Sequence, residues 1–353
     1  MKKIYLVLED GQAFEGYSFG AETEAVGELV FQTGMVGYIE TLTDPAYFGQ
    51  IVLQTFPMIG NYGMIPADFD GKCGAAGYVV REWCETPSNF RCEYTIDKFL
   101  KDKGIPGIYG VDTRELTKTL RDKGTLNATI CDKIPDDLSA LKEFKIVGAV
   151  AKMSADSKKI IEAVGDKKFE LTVIDYGMRN YLADEMAKRG CRVTVVPADT
   201  SAEDILATSP DGVLLSGGPG DPAENEIYVN NVRKLMGHVP MLGIAFGHQL
   251  MALATGASTY KLPYGHRGGN QPVKMIGTDR TYITSQNHGY AVDSASIVKG
   301  AVIFKNANDE SCEGIEYKED KAFSVQFYPE SNSGAHSTSF VFDKFVELMG
   351  GAN

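Results

Sequence analysis

An alanine occupies residue 245, where the neighbouring residues are arranged for a nucleophile. Pro240-Met241-Leu242-Gly243-Ile244 reads as a strand and Phe246-Gly247-His248-Gln249-Leu250 as the start of a helix. Gly243 and Gly247 frame the turn between them in a G-x-x-x-G pattern. A strand-to-helix turn this sharp presents one side chain beside backbone N–H donors, which suits attack on a carbonyl carbon. A methyl group has no lone pair and no acidic proton. Three other segments carry groups that suit the same chemistry. Leu215-Ser216-Gly217-Gly218-Pro219-Gly220-Asp221-Pro222 is a glycine-rich loop after a strand. Ser285-Gln286-Asn287-His288-Gly289-Tyr290 reads as a polar loop, and Val325-Gln326-Phe327-Tyr328-Pro329-Glu330 follows a final strand.

The elements that must position these groups divide the 353 residues into two domains joined by a linker. Residues 1–150 are mixed α and β. Lys3–Leu8 and Ile51–Phe56 are strand candidates, and Asn61-Tyr62-Gly63 and Asp70-Gly71-Lys72 are turn signals. Thr95–Lys103 and Asp112–Lys123 read as helices, the second with Leu116 and Leu120 four apart and Gly124 as its stop. Residues 151–168 are polar and lysine-rich, which predicts a linker or interdomain helix. From Phe169 to the C-terminus, strands and helices alternate: Leu171–Tyr176, Arg179–Arg189, Arg192–Pro197, Ala202–Thr208, Gly212–Ser216, Val229–Met236 and Pro240–Ile244. Such alternation predicts an α/β fold, a parallel sheet with helices on both faces. Ligands of such sheets sit at the carboxyl ends of strands, where loop 216–221 and turn 245–247 both fall.

Taken in order, the four segments resemble the class I (triad) glutamine amidotransferases. The whole chain, from about residue 3 to residue 348, resembles the small subunits of carbamoyl phosphate synthetase. Phe31-Gln32-Thr33-Gly34-Met35-Val36-Gly37-Tyr38, Thr43-Asp44-Pro45, Gly60-Asn61-Tyr62-Gly63, Asp112-Thr113-Arg114 and Tyr264-Gly265-His266-Arg267-Gly268-Gly269-Asn270 carry the second likeness. The resemblance implies a cysteine thiolate that attacks the glutamine amide, a histidine that moves the proton, and a glutamate that orients the histidine. It further implies a large subunit that receives the ammonia and serves arginine or pyrimidine biosynthesis. ATP and metal are expected on that subunit, and no cofactor on this chain.

Carried over residue by residue, those roles divide. Ala245 stands at the nucleophile and Tyr328 at the histidine, since this chain reads Y-P-E where the family reads H-P-E. Glu330 matches the orienting acid. Gly34 stands where the family commonly has a serine that helps hold glutamine. Gly218 and Gly220 match the substrate loop, and Phe246 offers an oxyanion N–H. Gln249, Asn287, Gly289 and Tyr290 match other substrate contacts. The expected function is a small-subunit homologue that does not hydrolyse glutamine and acts as a structural or regulatory partner of an ammonia-using large subunit. Two other readings fit the same residues: a sensor of L-glutamine or a related amide, and an ordinary glutamine-hydrolysing subunit carrying substitutions.

Several residues also have plain structural readings. Tyr328 fills the space left by a smaller Ala245, His248 and His288 serve packing or structural hydrogen bonds, and His266 and His336 are surface or capping residues. His238 precedes a strand, and no set of residues has metal-ligand spacing. The net charge of −12 disfavours nucleic acid and anionic membrane as partners. Met1–Asp10 carries too short an apolar run for a secretion signal, and no stretch approaches a membrane span. The six cysteines, Cys73, Cys84, Cys92, Cys131, Cys191 and Cys312, are scattered without a C-x-x-C pair, which fits reduced thiols in a cytoplasmic protein. Cys191 opens a buried strand and Cys312 precedes one, without a base nearby in sequence.

Overall fold

The computed structural model describes residues 2–330 and 337–350. It divides into two compact units, Met1–Ala149 and Val150–Asn353. Seven strands of the first unit close into a barrel: β1 (Lys3–Leu8), β2 (Ala13–Gly20), β3 (Ala25–Gln32), β4 (Gln50–Gln54), β5 (Gly77–Val80), β6 (Pro106–Tyr109) and β7 (Leu126–Cys131). Their order is β1-β2-β6-β5-β4-β3-β7, and closure removes the exposed edges of an open sheet.

Helices α1 (Tyr38–Thr43), α2 (Ile96–Lys103) and α3 (Thr113–Lys123) pack on this barrel. The last two start on side-chain caps. Thr95 Oγ1 accepts from Lys98 N, and Asp112 Oδ1 accepts from the backbone N–H groups of Arg114 and Glu115. Leu116 and Leu120 are fully buried with Leu6, Leu53 and Ile108 in one apolar cluster, while α1 and α2 pack with Phe19, Val52 and Tyr78 in another. The family-like segments around Gly34 and Gly60 form one local structure. The Tyr62 hydroxyl accepts from Gly37 N and Tyr38 N, the Tyr38 hydroxyl donates to Gly63 O, and the two rings stack 4.1 Å apart.

The second unit is built on a ten-stranded sheet. Its strands are β8 (Lys159–Ile161), β9 (Phe169–Asp175), β10 (Cys191–Pro197), β11 (Gly212–Leu215), β12 (Met241–Ile244), β13 (Thr259–Met275), β14 (Thr281–Val292), β15 (Ala301–Asn306), β16 (Cys312–Tyr317) and β17 (Ala322–Val325). They lie in the order β8-β10-β9-β11-β12-β17-β16-β14-β13-β15. From β10 to β17 all neighbours are parallel; β8 and the ribbon beyond β17 are antiparallel. The parallel strands read as continuous Val/Leu/Ile runs because they are covered on both faces. Ile174, Val213, Leu215 and Met241 pack under α5 (Ala202–Ala207), α6 (Glu226–Leu235) and α7 (Phe246–Ala254). Val173, Leu214, Leu242 and Ile244 point the other way, under α4 (Asn180–Lys188) and α8 (Phe340–Met349).

Two sequence expectations need correction. Residues 151–168 are more than a linker: a short helix, Ala149–Met153, leads into edge strand β8, which pairs antiparallel with β10. The segment 285–290 is the middle of β14, paired with β13. Its polar residues are not surface loop residues, because their partners lie on β13, β16 and the segment after β17.

Candidate functional site

The elbow forms between β12 and α7. Ala245 has φ 49° and ψ −103°, a conformation that costs a residue with a Cβ on the order of 1–2 kcal/mol. Backbone hydrogen bonds hold it there. Ala245 N donates to Val325 O at 2.9 Å, Gln249 N to Ala245 O at 3.2 Å, and Gly247 N to Ser216 O at 3.0 Å. Both glycines of the frame are demanded by close approach. A Cβ on Gly247 would lie 2.5 Å from Leu215 O, and one on Gly243 would lie 2.8 Å from Gly247 O. The sharp turn therefore survives intact around a buried methyl group.

The glycine loop lies against it. Ser216 Oγ accepts from Tyr176 N and donates to Gly217 O, which fixes the end of β11 to the end of β9. Gly218 lies so close to Tyr176 that a Cβ would come within 2.6 Å of its carbonyl oxygen, and Gly220 has φ 89°. The ring of Phe246 turns into the core, 5.7 Å from that of Tyr176.

Tyr328 is 3% exposed and reaches into the same corner. A Cβ built on Gly217 would meet Tyr328 Cε1 at 3.0 Å and the Ala245 Cβ at 3.7 Å, so the three residues adjoin. The Tyr328 N–H donates to Ser285 O at 2.9 Å and its hydroxyl donates to Asn287 O at 3.3 Å. The guanidinium of Arg179, itself buried, lies over the ring at 4.7 Å from the centroid. That arrangement adds a cation–π attraction of about 2 kcal/mol when desolvated. Glu330 is buried at the end of the same segment.

The remaining expected residues are placed as follows. Gln249 is buried; its Nε2 donates to Tyr290 O at 2.7 Å and to Gln326 Oε1 at 3.0 Å. Asn287 contributes its carbonyl to Tyr328, and Gly289 lies against Arg267, where a Cβ would be 3.2 Å from Nη2. Gly34 belongs to the first unit, where its N–H donates to Gln32 Oε1 and its carbonyl accepts from Gln54 Nε2. His248 is fully buried with Nδ1 2.8 Å from Ser324 Oγ; burial pushes its pKa down to about 3, so it is neutral. Cys191 and Cys312 are buried within their strands, Cys312 as the first residue of β16 rather than before it. Burial pushes their thiols up to about 11 and about 12, so neither supplies a thiolate near neutral pH.

Sequence reading missed four participants. Arg179 and Gly217 shape the corner around Tyr328, and Asp175 closes β9 by accepting from Gly177 N and Met178 N. The position of Asp175-Tyr176-Gly177 at a parallel strand's carboxyl end was the available signal. His266 is the fourth. It was expected at the surface or as a cap but is 7% exposed, with Nε2 2.9 Å from Asp309 Oδ2. Although no metal-ligand spacing is visible in the sequence, His266, His288 and Glu313 offer ligand atoms within 4.8 Å of one another. Burial opposes charge on both histidines. The Asp309 and Glu313 carboxylates outweigh it at His266 and raise its pKa to about 9, whereas His288 is held well below the usual imidazole range. His336 lies outside the described residues. Among the described residues no helix is long and apolar enough to cross a membrane.

Comparison with known proteins fits this geometry. Residues 172–348 match the family model for glutamine amidotransferase class-I, and residues 6–130 match that for the carbamoyl-phosphate synthase small chain, CPSase domain. The β9–β17 sheet, its elbow and its glycine loop are thus a class I glutamine amidotransferase domain. The carbamoyl phosphate synthase small chain of Listeria monocytogenes serotype 4b is 46% identical over 356 residues, covering 99% of this chain and 98% of that one. That of Fusobacterium nucleatum is 47% identical over 347 residues, covering 97% of each. The carbamoyl phosphate synthase pyrimidine-specific small chain of Lactiplantibacillus plantarum is 44% identical over 352 residues, covering 98% of this chain and 96% of that one. The chain belongs to the carbamoyl phosphate synthase small-chain family.

Proposed function

We propose that this chain is a small chain that does not hydrolyse glutamine and serves as a structural or regulatory partner of an ammonia-using large subunit in the cytoplasm. The ATP-dependent steps and their metal ions lie on that partner. The observation that carries the proposal is the pair of Ala245 at the elbow and Tyr328 beside it. Glutamine hydrolysis by a triad needs a nucleophile, and losing one costs on the order of 10⁶ in kcat in a protease triad. It also needs a base near neutral pH. A phenol, with an ordinary pKa of about 10 against about 6.5 for imidazole, is protonated there and cannot accept the proton.

The packing around Tyr328 also argues against a glutamine sensor. The ring occupies the corner between Gly217, Ala245 and Arg179, and the Gln249 carboxamide is engaged by Tyr290 and Gln326. A ligand amide would have to displace these groups.

The test is carbamoyl phosphate formation by the organism's large subunit, with and without this chain, fed glutamine or ammonium. A rate with ammonium that rises on adding the chain, and no rate with glutamine, supports the proposal. Turnover driven by glutamine overturns it. No effect with either nitrogen source rejects the partner role. A heat of L-glutamine binding to the isolated chain would restore the sensor reading.

A further inference from the structure

A cleft lies over β9 and β10, beside the edge strand β8. The two strands run parallel, with Glu170 beside Arg192, Thr172 beside Thr194 and Ile174 beside Val196. Parallel strands covered on both faces are apolar on both. Leu171, Val173, Val193 and Val195 keep one face apolar, whereas the other turns polar between Ile174 and Val196 and the amino ends of the strands. The physical reason is incomplete cover. The six residues of α5, which packs on this face, span about 9 Å, against roughly 23 Å for the seven residues of β9. The space left is a cleft of about 450 Å³, within the range of about 300–1,000 Å³ that holds small molecules. Thr172 on its floor stands three residues, about 10 Å, before the carboxyl end of β9.

The lining has more hydrogen-bonding capacity than the fold uses. Thr172 is 4% exposed, yet its hydroxyl has no hydrogen-bond partner among the described residues, and neither has that of Thr194 beside it. Threonine suits a strand, but a buried hydroxyl is costly to leave unpaired, so this floor calls for a polar occupant. The charged groups divide into engaged and free. Arg192 is held by Glu162 at 3.1 Å and by Glu170 at 3.4 Å. Lys158, which leads into β8, pairs with no carboxylate among the described residues. Asp204 on α5 meets no cation there; its carboxylate accepts from Ser201 Oγ. One free cation and one free anion therefore line the same cleft as the two free hydroxyls.

We propose that this cleft binds a free amino acid with an aliphatic side chain. The ligand carboxylate accepts from Lys158 and from the Thr172 and Thr194 hydroxyls, its ammonium donates to Asp204, and its side chain lies on Val196 and Ile205. Two cations and two carboxylates line the cleft, so a zwitterion adds no net charge to a balanced lining. A phosphate fits badly, because Glu170 and Asp204 oppose it and Arg192 is already engaged. A wholly apolar ligand would leave both hydroxyls unpaired. None of these residues belongs to the elbow, the glycine loop or the corner around Tyr328, so the proposal does not depend on the state of the triad. Bound there, the amino acid ties α5 to β9, β10 and the approach to β8.

The test is isothermal titration of the full chain with L-alanine, L-valine, L-leucine and L-isoleucine, each at millimolar concentration. Saturable binding of at least one is expected, at one molecule per chain. No saturable binding of any of the four overturns the inference. The double variant Thr172→Val with Thr194→Val keeps the side-chain shape and removes both hydroxyls. It should weaken binding at least about tenfold, the loss expected for two hydrogen bonds to a carboxylate. A smaller loss places the ligand elsewhere and overturns the inference. If the double variant does not fold, as judged by circular dichroism, the parent chain decides with the N-acetyl and carboxamide derivatives of the same amino acid. Each derivative lacks one charge. At least tenfold weaker binding of both supports the site, and binding of either within tenfold of the free amino acid rejects it. Glutamine hydrolysis is read separately, from carbamoyl phosphate formation, so the two proposals fail independently.

Discussion

The Tyr328 hydroxyl donates to the backbone carbonyl of Asn287 at 3.3 Å, so the residue expected at the base position is tied to the strand expected to touch substrate. This bond is long, and its loss in Tyr328→Phe is expected to cost about 0.5–1 kcal/mol. Tyr328→Ala removes the ring as well, with its packing against Gly217 and Arg179, and is expected to cost about 3–5 kcal/mol. Urea denaturation of the three proteins measures both. Equal losses in the two variants would show that the ring is not packed as described.

Restoring the nucleophile alone should not restore hydrolysis. Ala245→Cys places a thiol at the elbow with a phenol where a base is needed, and glutamate release from glutamine is expected to stay at background. The double change Ala245→Cys with Tyr328→His should exceed the single one by at least about 100-fold, the low end of a general-base contribution. A fully active single variant would mean that another group serves as base.

The elbow's conformation is expected to make glycine unusually acceptable at 245. Relief of the positive φ offsets most of the lost methyl burial and added chain entropy, so Ala245→Gly should change stability by less than about 0.5 kcal/mol. Ala252→Gly, in the buried interior of α7, lacks that relief and should cost at least about 1 kcal/mol. Gly247→Ala should cost about 2–3 kcal/mol, because its Cβ meets backbone rather than a movable side chain. Thermal unfolding ranks the three.

His248 gives the second unit a defined response to acid. Its folded pKa, about 3, lies below the ordinary value of about 6.5, so protons bind the unfolded chain first as pH falls. Its contribution is complete above pH 6.5 and is lost between there and pH 3. At pH 5 it amounts to a loss of about 2 kcal/mol relative to neutral pH. His288 is the titratable neighbour that acts on the same site, and it remains in a His248→Asn variant. The stability of that variant relative to the parent should therefore improve by about 2 kcal/mol between pH 7 and pH 5. Parallel stability curves would show that His248 is charged when folded.

What the sequence determined by itself is local. The G-x-x-x-G frame implied an elbow because a strand ending at Ile244 and a helix starting at Phe246 leave one residue for the reversal. The helices over Thr95–Lys103 and Asp112–Lys123 were legible because apolar spacing and a stop such as Gly124 are read from neighbouring residues alone. The Val/Leu/Ile runs from 171 to 244 announced a buried parallel sheet because both faces had to be apolar. The identities of residues 245 and 328 were equally plain, since a missing sulfur or imidazole is a fact of composition. Tertiary structure decided the rest. The segment 285–290 read as a loop because its polar residues have no partners nearby in sequence; those partners stand on β13, β16 and the segment after β17. The cluster of His266, His288 and Glu313 was invisible for the same reason, since a hairpin pairs the histidines across 22 residues and β16 brings the glutamate. The ring stacked under Arg179 depends on distances that no spacing along the chain encodes.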